Sequence, residues 1–169
     1  MKKLHLLLII ILLVPILNMA QSSNKNTIVT ERFLQSFADA FNAHDIKAIM
    51  SFMTEDCVFE ASAGEDINGE KFTGQEEVRK AFEYVFETFH DAHWANARHF
   101  ISGNRGFSEW IFSGTKSDGS KVEVTGCDLF TFKNGKIAVK NSYRKNRLIA
   151  HKEGTIFPIE SIPYCPVFE

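Results

Sequence analysis

Apolar residues in the first half of the chain recur every three or four positions, which is the period of an amphipathic helix. Val29, Phe33, Phe37 and Phe41 share one face in this spacing, and a helix is predicted from about residue 28 onwards. The pattern stops near residue 43, where Asp45 is placed to cap a second, shorter helix.

A third and longer helix is predicted after residue 73. The segment Thr73-Gly74-Gln75-Glu76 has the composition of a capping box, in which a hydroxyl and a carboxylate satisfy free amides at a helix start. The apolar face that follows consists of Val78, Ala81, Phe82, Val85, Phe86 and Phe89. Residues 62–72, with two glycines among acidic residues, are predicted to form a loop or an irregular hairpin.

Beyond residue 90 the period of the pattern becomes two, which predicts β-strands. Turn compositions separate four of them, and Asn134-Gly135 is the type that fits a two-residue hairpin turn. The predicted strands are 93–102, 105–114, 121–133 and 136–145, and a shorter run at 57–61 precedes the third helix. Helices followed by an antiparallel meander predict an α+β fold with the helices on one face of a curved sheet.

The two ends of the chain differ from its middle. A charged start, a short apolar run and Ala20 predict an export signal over 1–20, followed by a polar linker over 21–27. The apolar run is about 12 residues, short of the ~20 that cross a bilayer, so cleavage is favoured over a membrane anchor. The domain is predicted at 28–147. An apolar tail with three prolines, 148–169, is expected to lie along the domain or a partner subunit.

Export would expose the three cysteines, Cys57, Cys127 and Cys165, to oxidising conditions. Their odd number leaves at least one thiol free or in an intermolecular bond. His90 and His93 straddle a predicted helix end and lack a third ligand at a suitable spacing, so no metal is expected. The chain contains no dinucleotide, phosphate-loop or nucleophile-elbow motif, and no cofactor is expected.

The composition is that of a globular protein, with 44% hydrophobic and 24% charged residues in 169. A net charge of -2 gives no general attraction to nucleic acid or to an anionic membrane surface. Sixteen phenylalanines exceed what one small core usually needs. Either the core is very dense or it encloses a cavity.

Asp128 is the ionisable residue on the apolar face of strand 121–133. Burial favours the protonated form of a carboxyl group unless a cation or a hydrogen-bond donor compensates. One interpretation is a catalytic or ligand-binding acid that donates a hydrogen bond to a ligand oxygen. The other is a structural ion pair with Arg98, Arg105 or Arg144.

Regular alternation along the last strand would turn Asn141 and Tyr143 to the same side as Asp128 and line a pocket. A buried tyrosine that simply finds a backbone partner is the alternative. Trp110 is expected in the core or in a pocket wall. The basic residues of this region are expected on a solvated rim of the sheet: Lys133, Lys136, Lys140, Arg144, Lys145 and Arg147.

Five short strings carry a resemblance to known proteins: Phe41-Asn42-Ala43-His44-Asp45, Glu55-Asp56-Cys57-Val58-Phe59, Thr73-Gly74, Gly126-Cys127-Asp128-Leu129-Phe130-Thr131-Phe132 and Asn134-Gly135-Lys136-Ile137. Together they resemble the SnoaL-like branch of the nuclear transport factor 2-like superfamily. The resemblance implies a cone-shaped α+β fold, in which about three N-terminal helices cover a strongly curved, mainly antiparallel sheet. It also implies a deep apolar pocket and dimerisation through the outer sheet face.

That superfamily includes ketosteroid isomerases, polyketide cyclases, dehydratases and epoxide hydrolases. The resemblance places the oxyanion-holding acid of the isomerases on Asp128, their proton-abstracting aspartate on Ala61 and their tyrosine donor on Phe37. Two of the three groups are absent, which argues against that mechanism. The acid that the cyclases use falls near Ser142, which is not an acid, and this argues against the cyclase mechanism.

The same register implies that Cys57, Phe59 and Ala61 point into the pocket and Cys127 points away from it. A bond between Cys57 and Cys127 is therefore not expected.

Three functions stay open at this point. The first is an exported homodimer that binds a small, largely apolar molecule. The second is an isomerase, cyclase or dehydratase that uses Asp128 with another base, for which Glu60, Glu109 and His99 are candidates. The third is an association domain whose pocket is filled by its own phenylalanines. The predicted ligand-binding residues are Phe37, Phe59, Trp110, Asp128, Asn141 and Tyr143.

Overall fold

Three helices cover one face of a six-stranded sheet in residues 28–146, the part of the chain that the computed structural model describes. The helices are α1 Glu31–Asn42, α2 Ile46–Ser51 and α3 Gly74–Thr88. The strands are β1 Met53–Glu60, β2 Lys71–Thr73, β3 His93–Ser102, β4 Arg105–Thr115, β5 Lys121–Lys133 and β6 Lys136–Arg144. The predicted α+β class is confirmed. The predicted signal, linker and tail lie outside the described residues.

The order of strands in the sheet is β2-β1-β6-β5-β4-β3. Strands β3 to β6 form the predicted meander, and β1 pairs in parallel with β6 at its edge. Strand β1 begins at Met53, four residues before the predicted start, because Met53 pairs with Ile137 across the sheet. Strand β2 falls in the segment predicted as a loop or hairpin, and its three residues are too few to show a period. None of the three described helices is long and apolar enough to cross a membrane.

The predicted cap of α2 is confirmed, whereas the capping box predicted at α3 is only half formed, because the Thr73 side chain makes no capping hydrogen bond. Asp45 caps α2 as predicted, because its Oδ1 accepts from the amide of Ala48 at 2.9 Å. At α3 the carboxylate that returns to Thr73 belongs to Glu77, whose Oε2 accepts from the Thr73 amide at 2.9 Å. The predicted partner, Glu76, instead forms an ion pair with Lys80. Gly74, at the first helical position, has a φ of +83°, in the left-handed region that favours glycine.

A dense aromatic core fills the space under α1 and α2. Phe37 lies within 5.0 Å of Phe41, 5.8 Å of Phe52 and 5.9 Å of Phe130, measured between ring centroids, and all three contacts are edge-on. This is the geometry that aromatic rings prefer when they pack. The dense-core interpretation of the phenylalanines therefore holds at this end of the sheet.

One β-bulge decides which side chains of β6 face the helices. Phe132 pairs with Ile137, but Thr131 pairs with Val139, so Ala138 is an extra residue in the ladder. Beyond it the alternation is reversed, and Lys140 and Ser142 turn inward. The expectation that Asn141 and Tyr143 face inward is therefore wrong.

Candidate functional site

A cavity of about 770 Å³ lies between α3 and the inner face of the sheet. Its walls are mainly apolar, and their aromatic residues include Phe41, Phe59, Phe82, Trp94 and Trp110. Clefts of this size with apolar walls and a few convergent polar groups are typical of small-molecule sites.

The floor of the cavity is a polar cluster of four side chains. Asp128 Oδ1 lies 2.7 Å from Lys140 Nζ and accepts from the Ser142 hydroxyl at 2.6 Å. Asp128 Oδ2 accepts from the Trp110 indole nitrogen at 2.9 Å. The ammonium of Lys140 also donates to Ser142 Oγ at 2.6 Å. Lys140, Ser142 and Trp110 line the cavity, and Asp128 lies behind them.

Asp128 is an acceptor in this cluster. It is 6% exposed, and three donors, one of them an ammonium, converge on its two oxygens. Such a set of partners suits an ionised carboxylate, which has no proton to donate. The interpretation of Asp128 as a protonated donor to a ligand is therefore wrong. Asp128 does form a structural ion pair, as the alternative interpretation expected, but with a different cation.

The cation of that pair is Lys140 and not one of the three arginines considered from the sequence. Arg98 pairs with Glu109 on the outer face, and Arg105 donates to the Thr131 hydroxyl. Lys140 is only 7% exposed. The prediction that Lys140 lies on the solvated rim of the sheet is therefore also wrong, because the bulge at Ala138 turns its side chain inward.

The environment of Lys140 compensates the burial of its charge. The ammonium lies 5.0 Å from the ring centroid of Phe59 and 5.7 Å from that of Phe41. The faces of both rings attract a cation, which adds to the ion pair with Asp128. Lys140 is therefore held at the cavity floor as a charged donor.

The remaining predicted ligand-binding residues divide into two groups. Phe59 and Trp110 line the cavity as expected. Phe37, 3% exposed, packs in the core and borders only a separate void of about 30 Å³. Tyr143 is 50% exposed on the outer face, where its hydroxyl accepts from the Asn141 side chain at 3.2 Å.

None of the three candidate bases lines the cavity. Glu60 follows the inward Phe59 on β1 and takes the opposite face, and Glu109 is paired on the outer face. His99 faces the helices, where Nδ1 lies 2.7 Å from Ser108 Oγ and Nε2 lies 3.2 Å from Gln35 Oε1. Burial lowers the pKa of His99 below its ordinary value.

Lys140 and Ser142 are the residues that sequence reasoning missed. A single-residue bulge leaves no periodic trace, so the strand pattern alone does not reveal it. The resemblance to the cyclases did hold a signal, because it placed a working residue near Ser142. Neighbouring residues of a strand point to opposite faces, so an inward Ser142 conflicts with an inward Asn141 and Tyr143.

Residues 34–140 match the family model described as the SnoaL-like domain. The chain belongs to the SnoaL-like family. No curated protein matches it significantly. Trp110, Asp128 and Lys140 of the polar floor lie within the matched residues, and the family expectation from the sequence is confirmed.

Solved structures share the fold of this SnoaL-like chain. A candidate polyketide cyclase from Pseudomonas putida has a TM-score of 0.61 at 18% identity, over 72% of this chain and 93% of that one. A protein of ketosteroid isomerase-like fold from Catenulispora acidiphila, in complex with trimethylamine, has a TM-score of 0.59 at 16% identity, over 68% of this chain and 86% of that one. TerC, co-crystallised with polyporic acid, has a TM-score of 0.58 at 18% identity, over 68% and 89%.

The two cysteines of the SnoaL-like domain lie on opposite sides of the sheet. Cys57 is fully buried, whereas Cys127 borders a groove on the outer face, and both are free thiols. Burial raises the pKa of each thiol. The expected absence of a bond between these two is consistent with this arrangement. Cys165 lies outside the described residues.

The outer groove has a volume of about 890 Å³. A cross-strand row of Tyr143, Cys127, Glu109 and Arg98 crosses it from β6 to β3. Apolar side chains beside this row include Phe107 and Ile111.

Proposed function

We propose that this SnoaL-like domain binds a small, largely apolar molecule in the cavity between α3 and the sheet. The observation that carries the proposal is the combination of apolar, aromatic-rich walls with a buried polar cluster, in which Lys140 and Ser142 line the floor. A pocket of this kind excludes water from the ligand body and orients the ligand through a few polar contacts. The cavity, at about 770 Å³, has room for a molecule of several fused rings.

Binding is favoured over isomerisation of the ketosteroid type. Ala61, where the resemblance puts the base of that enzyme, lines the cavity and has no group to abstract a proton. The carboxylates among the described lining residues are Glu70 and Glu77, both exposed. Phe82 of α3 joins the aromatic packing through Phe41 and Phe59, yet a volume of about 770 Å³ stays open beside these rings, which argues against a filled pocket.

A pocket-filling variant tests the proposal. Ala81 on α3 lines the cavity at 8% exposure, so Ala81→Leu adds volume where space exists. Its matched control is Ala40→Leu, since Ala40 is an equally buried helical alanine of the same core cluster that does not line the cavity. We expect Ala81→Leu to abolish ligand binding with little loss of stability, and Ala40→Leu to cost about 1–3 kcal/mol through overpacking.

Thermal unfolding in the presence of apolar carbonyl and phenolic compounds measures binding, because a ligand that binds only the folded state raises Tm. Both tryptophans of the chain line the cavity, so their emission reports the same event locally. If no compound changes Tm or emission, or if Ala81→Leu is as destabilising as Ala40→Leu, the pocket proposal is wrong.

We also propose that the protein is exported and forms a homodimer through its outer groove. Apolar surface at Phe107, Ile111 and the half-exposed Tyr143 supports this choice of face. Tyr143→Glu should shift the sedimentation coefficient to that of a monomer, whereas Tyr84→Glu on α3 should not. A monomeric wild-type protein would refute the dimer. The N-terminal sequence of the exported protein tests cleavage near Ala20.

A further inference from the structure

One N–H of the Lys140 ammonium has no hydrogen-bond acceptor among the described residues. An ammonium carries three N–H donors, and here Asp128 Oδ1 and Ser142 Oγ accept two of them. Both acceptors lie on the floor of the cavity. Because the nitrogen is tetrahedral, the third N–H points away from these two acceptors, and the ring centroids of Phe59 and Phe41 lie 5.0 and 5.7 Å from the nitrogen. Those rings also line the cavity, and the described residues supply no acceptor there.

The surroundings of Lys140 determine which ligand atom suits this donor. The pair of Lys140 with Asp128 is neutral overall, so an uncharged acceptor meets no net repulsion. A ligand cation would lie against an ammonium in an environment that screens charge poorly. An apolar group in this position would leave the buried N–H unsatisfied, which is costly.

We infer that the ligand presents a hydrogen-bond-accepting oxygen, of the ketone carbonyl or carboxylate type, to the Nζ of Lys140. The inference rests on the proposed function and names the chemical class of the ligand. Trp110 and Ser142 act as positioning residues, since they hold Asp128 and the ammonium in place. The body of the ligand packs against Phe59 and its neighbours.

Four probes that share one naphthalene body separate the possibilities by calorimetric titration. They are methyl 2-naphthyl ketone, 2-naphthoate, 2-ethylnaphthalene and 2-naphthylmethylammonium. A hydrogen bond to a charged donor predicts that the ketone binds roughly tenfold or more tightly than the hydrocarbon. The naphthoate should also bind more tightly than the hydrocarbon, and its ratio to the ketone tells whether a carbonyl or an anionic oxygen is preferred. The ammonium probe should bind most weakly.

The double variant Asp128→Asn/Lys140→Met removes both charges of the buried pair together. We expect it to bind the ketone and the hydrocarbon equally, since the donor is lost and the apolar walls remain. The matched control, Asp56→Asn/Lys133→Met, makes the same two replacements in an exposed pair that does not line the cavity and should keep the ketone preference. The wild-type comparison of the four probes tests the inference even if the double variant fails to fold.

The outcomes are distinct. If wild-type protein binds all four probes equally, or binds the ammonium probe best, the inference is overturned while the pocket proposal stands. If none of the four binds, the pocket proposal fails as well. If the double variant keeps the ketone preference, Lys140 is not the donor and the inference is overturned.

Discussion

Removal of Lys140 alone should be one of the most damaging single substitutions in this domain. At 2.7 Å and an effective dielectric constant of 20, the attraction between the ammonium and Asp128 is about 6 kcal/mol. Transfer of each ion from water costs several kcal/mol, so the net value of the intact pair is small. Lys140→Met cancels the attraction but leaves the carboxylate buried, with Trp110 and Ser142 as its remaining donors. We expect a loss of about 3–5 kcal/mol in the free energy of unfolding.

The double variant Asp128→Asn/Lys140→Met should recover most of this loss, because no uncompensated charge stays buried. Urea denaturation of the wild type, both single variants and the double variant gives the coupling energy of the pair. The pair of Lys133 with Asp56 is the matched control, since its atoms are also 2.7 Å apart but its side chains are 57% and 65% exposed. Lys133→Met should cost less than about 1 kcal/mol.

Two results would refute this reasoning. If Lys140→Met costs no more than Lys133→Met, the pair is not buried in solution. If the losses of the two single variants add up in the double variant, the two groups are not coupled, and the polar floor is not a unit.

Three further predictions follow from other contacts. A Cβ on Gly126 would lie 2.3 Å from the Trp110 ring and 2.5 Å from the Tyr143 carbonyl oxygen, so Gly126→Ala should displace both the ring and the β6 backbone and cost about 1–3 kcal/mol by urea denaturation. The two N–H groups of the Gln75 side-chain amide are shared among three backbone carbonyls between residues 50 and 54. Gln75→Leu should cost about 1–3 kcal/mol in the same assay, and a neutral result would show that water replaces the amide. Burial keeps His99 neutral and lowers its pKa below 6.5, although Glu31 and Asp39 oppose this. The unfolded chain therefore takes up the proton first, and wild-type stability should fall as pH drops through 6.5, whereas His99→Gln should lose that part of the slope.

The architecture of this domain could be predicted from the sequence because its elements are specified locally. The spacing of Phe33, Phe37 and Phe41 defines α1 whatever it packs against. The Asn134-Gly135 turn similarly joins β5 to β6 wherever that hairpin lies in the sheet. Asp128 was identified as inward-facing for the same reason, since a regular strand alternates residue by residue.

The chemistry of the candidate site depended on contacts between distant elements. The parallel pairing of β1 with β6 joins segments about eighty residues apart, and β2 exists only because it pairs with β1. Because of the bulge at Ala138, Lys140 and Ser142 point toward the helices, whereas regular alternation would point them to the outer face of the sheet. Side-chain period along a strand is two, so one inserted residue exchanges the inner and outer sets. The sequence alone thus determined the fold and an inward carboxylate, and the tertiary structure decided which cation neutralises it and which donor meets the cavity.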